Sequence, residues 1–188
     1  MLLKKRLSVL QMTYIALGAV LIAACSWISI PATVPFTLQT FAVLLVCDLL
    51  GGRMGLISVL LYLALGAVGV PVFSNFGAGI GHLLGVTGGY ILGFVLSALV
   101  MWAVQGLCPN KPAFRLLGMV LGLAACYAAG TAWFMAVYLR TKGDITLGAV
   151  LGLCVLPYLI PDALKIALAW LISGRLRSAL HLSQENQK

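Results

Sequence analysis

Apolar residues occur in long runs separated by short stretches rich in proline, glycine or charge, and these runs set the expected elements. Val9 to Ile30 predicts a helix of about 22 residues, roughly 33 Å, enough for one bilayer crossing. Pro31 and Pro35 end it and make a short connection up to Thr37. Further helices are expected over about 38–50, 55–70, 86–104, 116–139 and 148–173. Gly51-Gly52-Arg53 turns between the second and third, which are short and imply tilt or local thinning of the bilayer. The stretch Val70 to Gly81 is too rich in glycine for a span and reads as a structured loop. Residues 183–188 read as a polar tail.

Composition fixes the solvent. With 62% hydrophobic and 9% charged residues among 188, the chain is expected to be an all-α integral membrane protein, a single domain of six transmembrane helices. No ten-residue alternation points to a barrel. The net charge of +8 sits mainly in termini and connections, where it sets topology in a lipid bilayer and implies no nucleic-acid partner. With the N-terminus inside, the inner segments hold Lys4, Lys5, Arg6, Arg53, Lys111, Arg115, Arg175, Arg177 and Lys188; the outer loops hold Arg140 and Lys142. N-in, C-in follows from that asymmetry. Ile22-Ala23-Ala24-Cys25 after a basic start also has the form of a lipoprotein signal, but more membrane helix follows it. The scattered cysteines, five in number, read as small buried hydrophobes rather than disulfides or metal ligands.

The densest chemistry lies in Pro157-Tyr158-Leu159-Ile160-Pro161-Asp162-Ala163-Leu164-Lys165. Asp162 and Lys165 share one helix turn, so each offsets the other's cost in hydrocarbon. Pro161 has no N–H, and the helix should bend or restart there, leaving polar backbone beside the charges. This reads as the floor of a ligand pocket, against the plainer reading of an ion pair locking two helices. Asp48 stands five residues from Arg53, which points to pairing across the turn. Tyr127, Thr131 and Trp133 lie within a span; hydroxyls there can line a cavity, and Trp133 reads as packing. His82 reads as a loop residue. Ala19 and Ala23, four apart, form a small-residue surface for close helix packing. No catalytic motif, metal set or phosphate-binding loop occurs, so neither catalysis nor ATP hydrolysis is expected of this chain. No cofactor is expected.

Four blocks in order then carry a resemblance: Val34-Pro35-Phe36-Thr37-Leu38-Gln39-Thr40-Phe41, Leu61-Tyr62-Leu63 through Gly66, Gly69 and Pro71-Val72-Phe73, Thr87-Gly88-Gly89-Tyr90, and Pro161-Asp162 with Lys165. They resemble the BioY family, the biotin-specific substrate-binding S components of energy-coupling-factor (ECF) transporters. Val86 departs from the proline usual there. The resemblance implies an S-component fold in the bacterial cytoplasmic membrane with biotin as transported substrate. It implies a head-group site of Asp162, Lys165 and Asn75, with Tyr90 as a ring wall and Gln39 as a polar end. It also implies docking through Ala19 and Ala23 on a transmembrane coupling subunit that works with two ATP-binding-cassette ATPases. The glycine-rich loop is expected to act as a lid.

Overall fold

The computed structural model describes residues 7–30, 34–107, 111–141 and 143–179. The basic start Lys4-Lys5-Arg6, Pro31, Cys108, Lys142 and the tail 183–188 lie outside these residues.

Helix α1 spans Val9–Trp27, opened by a capping box in which Ser8 accepts from the Gln11 N–H and the Gln11 side chain returns the bond. It stops short of Ile30 because Ser29–Ile30 (β1) pairs antiparallel with Phe36–Thr37 (β2), Ser29 facing Thr37. Helix α2 is Gln39–Leu50 and α3 is Gly52–Ala67. The third helix begins before the expected position because Gly51, at φ +79°, makes the turn alone. After a loop containing a 3₁₀ turn at Ser74–Phe76 comes the short α4, Ile80–Leu84, which the apolar pattern did not mark. Helix α5 is Gly88–Leu107, and α6 is Pro112–Thr141, with proline at its first position where no N–H is needed.

The expected single helix over 148–173 is broken. Helix α7, Leu147–Cys154, gives way to a 3₁₀ turn at Leu156–Tyr158, and α8 runs Leu159–Ala179. The break precedes Pro161 rather than falling on it. Restarting at Leu159 puts Pro161 in the first turn, where its missing N–H leaves no carbonyl unpaired.

Among the described residues, four segments are long and apolar enough to cross a membrane: α1, α5, α6 and the α7–α8 stretch Leu147–Arg177; α2 and α3 are apolar but shorter. Helix α1 packs on α2 and α3, α2 on α8, α3 on α5, and α5 lies along α6. That last pair comes close through glycine: a Cβ at Gly122 would stand 2.8 Å from the Ser97 hydroxyl, and one at Gly93 3.0 Å from Cys126 Sγ. The main core gathers around Ile22, Leu44, Tyr62, Phe73, Met101 and Met119. A smaller cluster of Tyr90, Phe134, Val150 and Cys154 seats α7.

Ala19 and Ala23 are only 1% and 7% exposed. Both are buried within the single chain, on the helix that packs on α2 and α3.

Candidate functional site

The N-terminal ends of α2, α5 and α8 converge beside β2, and a cavity opens between them and the middle of α6. Its volume is about 70 Å³, room for several waters. Ile91, Phe94 and Leu123 give it an apolar wall, while Gln39, Tyr90, Tyr127, Asp162 and Lys165 bring polar groups to it.

Asp162 and Lys165 are 3% and 5% exposed, and each is hydrogen-bonded. Lys165 Nζ donates to Asp162 Oδ1 at 2.6 Å and to the Thr37 carbonyl at 2.7 Å, and it stands 4.1 Å from the centre of the Phe36 ring. Tyr127 Oη donates to Asp162 Oδ2. The carboxylate also lies in the first turn of α8, where the helix dipole favours negative charge. The two charges line the cavity, and they also tie α8 to α6 and β2.

Further hydrogen bonds and ring contacts shape the walls. Gln39 Nε2 donates to Tyr62 Oη at 2.5 Å, which turns its amide across the base of the cavity. Tyr90 Oη lies 3.3 Å from Thr131 Oγ1, joining α5 to α6. Tyr158 stacks on Phe36 with ring centres 6.1 Å apart and donates its hydroxyl to the Val34 carbonyl, closing the side where α7 breaks. Trp133 Nε1 donates to the Gly85 carbonyl at 3.0 Å and fixes the start of α5 from outside the cavity.

Asn75 is placed differently from the expectation. It is exposed and outside the cavity lining, whereas its neighbour Ser74 is part of it. Asn75 Oδ1 accepts from Ser29 Oγ at 2.8 Å. Asn75 and Phe76 have φ of 55° and 58°, left-handed backbone that asparagine tolerates and phenylalanine rarely adopts. Phe76 is stacked on Trp27, at 5.4 Å between centres, and Trp27 Nε1 donates to the Pro71 carbonyl at 2.9 Å. The loop is thus pinned to the end of α1. Sequence reasoning placed Tyr127 near a cavity without a partner, and it missed Tyr158, Thr37 and Phe36 as site residues. Their signal was position: all lie beside the Pro-Phe-Thr or Pro-Tyr stretches that interrupt the helices.

Asp48 has a partner that the sequence did not suggest. Its carboxylate, with no exposed surface, is paired with Arg115 of α6. Gln105 Nε2 donates to it at 3.1 Å and Ser173 Oγ at 2.5 Å. Among the described residues, no three His, Cys, Asp or Glu side chains gather as a metal site.

A helical bundle with membrane-crossing segments and a cavity holding a buried ion pair defines an integral membrane protein of the transporter type. The sequence model of the BioY family matches residues 3–182. The chain belongs to the BioY family. It is 37% identical over 168 residues to the probable biotin transporter BioY of Pyrococcus horikoshii, covering 89% of this chain and 96% of that one. It is 40% identical over 162 residues to the biotin transporter BioY of Thermotoga maritima, covering 84% and 89%. The crystal structure of an S-component for biotin from an ECF-type ABC transporter superposes with a TM-score of 0.81 at 26% identity, covering 90% of this chain and 92% of that one.

Proposed function

We propose that this chain is a biotin-binding S component: it captures biotin outside the bacterial cytoplasmic membrane and delivers it inward with an ECF module. The observation that carries this reading is the Asp162–Lys165 pair held against an otherwise largely apolar cavity. Biotin presents a ureido ring with two N–H donors and a carbonyl, joined to an apolar ring and chain. Each Asp162 oxygen has one protein partner and a second lone pair left for a ureido N–H, and Lys165 has a third proton for the ureido carbonyl. Ile91, Phe94 and Leu123 suit the apolar portion, with Tyr90 as a ring wall and Gln39 as a polar end. Asn75 joins the head-group site when the loop leaves Ser29.

Six crossings, with α2 and α3 as short tilted members, put both termini inside and the cavity at the outer face, in keeping with the excess of Lys and Arg on inner segments. The chain has no phosphate-binding loop, so energy comes from partners: a transmembrane coupling subunit and two ATP-binding-cassette ATPases.

Equilibrium binding of biotin to the purified chain, beside Asp162→Asn shown to be folded, tests the reading. Binding by the wild type that is lost in the variant supports it. A folded wild type that ignores biotin overturns the specificity and leaves an S component for another vitamin or small solute. Uptake by cells lacking every coupling subunit would instead make it a solitary facilitator.

A further inference from the structure

Helix α8 touches the bundle along a narrow stripe made of Asp162, Lys165, Ile166, Ala169 and Ser173. Among these Ile166 is large and apolar, and Trp170, partly buried, also packs against the main core. The opposite face, with Ile160, Leu164, Leu168 and Leu171, is exposed. Apolar surface that faces lipid gives no hydrophobic drive toward the bundle, so packing and polar ties must fix where such a helix sits. At the cavity end the ties are those of Asp162 and Lys165. Eight residues on, about 12 Å along the axis, Ser173 Oγ donates to Asp48 Oδ2 at 2.5 Å and accepts from Arg115 Nη2 at 2.8 Å.

Asp48 itself is fixed from three helices. It stands on α2, with Arg115 of α6 on both carboxylate oxygens and Gln105 of α5 on one. Trp170 Nε1, 3.4 Å from the Pro112 carbonyl, adds a weaker tie at the same level. Between the two levels Ile166 and part of Trp170 supply apolar packing, while the fully buried Ala169 adds little to resist sliding or rotation. We propose that Ser173 and Asp48 are positioning residues for the ligand site: the Asp48–Arg115–Ser173 node sets the height and rotation of α8, and so where Asp162 and Lys165 stand in the cavity.

This rests on the reading of the cavity as a biotin site, and the test separates the two. Ser173→Ala removes one hydroxyl and leaves the Arg115–Asp48 pair complete, so no charge is stranded and the fold is kept. Ser173→Thr restores the hydroxyl. Genetically encoded spin labels at exposed Leu60 and Leu168 report the distance between α3 and α8 in the purified full-length chain, and biotin affinity is measured on the same variants without labels. The expected result is a displaced distance and about tenfold weaker binding in Ser173→Ala, the size of one hydrogen bond to a charged network. Ser173→Thr is expected near wild type in both. An unchanged distance or an unchanged affinity in Ser173→Ala overturns the proposal, as does an equal change in the threonine variant. A displaced distance in a chain whose wild type does not bind biotin sinks the biotin reading and leaves the placement of α8 by Ser173 standing.

Discussion

Lys165 Nζ stands 2.6 Å from Asp162 Oδ1, inside a bundle where neither side chain reaches bulk water. Removing one partner strands the other's charge. Lys165→Met is expected to lower the unfolding free energy by about 3–5 kcal/mol, the usual result of breaking a buried pair. The double variant Asp162→Asn with Lys165→Met should regain most of that stability in denaturant unfolding while remaining unable to bind biotin. Recovery of binding with recovery of fold would reduce the pair to a structural clamp.

Tyr127 orients the carboxylate without competing for its charge. Its hydroxyl meets Oδ2 while Lys165 meets Oδ1, so the carboxylate plane is set from α6 and from its own helix at once. Tyr127→Phe keeps the ring and loses the donor. The expected outcome is a stability loss of about 1–2 kcal/mol with roughly tenfold weaker biotin binding by calorimetry. An unaltered affinity would mean that Lys165 alone orients Asp162.

The helical nature of the chain and the charged pair within 157–165 were legible because both depend on local pattern: long apolar runs, and charges inside one of them. What was not legible depends on distant partners. Nothing near Asp48 in sequence announces Arg115, which is brought to it by the α5–α6 hairpin. The inward turn of Ala19 and Ala23 follows from how α1 is rotated, and small residues at four-residue spacing are the same in either orientation. The break in the last apolar run was visible in Pro157 and Pro161, but its position depended on which proline entered the first turn of α8.

Gly130 keeps the cavity's Tyr90 wall in place. A Cβ at Gly130 would lie 2.1 Å from Tyr90 Cδ1, an overlap that only movement of the ring can relieve. Gly130→Ala adds helix propensity to α6 yet should push Tyr90 off Thr131 and toward the ligand space. Binding is expected to fall at least tenfold, with a lowered melting temperature measured in detergent. A variant that binds normally would remove Tyr90 from the site.

His82 is expected to give the loop a pH response. The residue lies on α4, between the spans, with its ring stacked on Phe73 at 5.2 Å, and burial pulls its imidazole below the ordinary value. The sign follows from that direction. A histidine whose folded pKa is depressed contributes full stability above its unfolded pKa, about 6.5, and loses it as pH falls through the folded value. Amide exchange across residues 70–85, corrected for intrinsic rates, should therefore speed up at pH 5 relative to pH 7.5. His82→Phe should flatten the difference; a response that persists in that variant has another source.

Asn75 can be separated from its backbone. Its left-handed φ of 55° means that Asn75→Gly preserves the turn, and the relief of that φ offsets the lost Ser29 bond, so the melting temperature should change little. The side chain alone is lost. If the amide closes onto the biotin head group, affinity falls about tenfold or more in Asn75→Gly. Ser29→Ala acts with the opposite sign, because Ser29 holds Asn75 away from the cavity by its 2.8 Å hydrogen bond, and releasing that bond makes closure easier. Tighter binding in Ser29→Ala together with weaker binding in Asn75→Gly marks Ser29 as the resting partner that the ligand displaces. Equal affinities in both variants would confine Asn75 to shaping the turn, with Ser74 as the loop's contribution to the cavity.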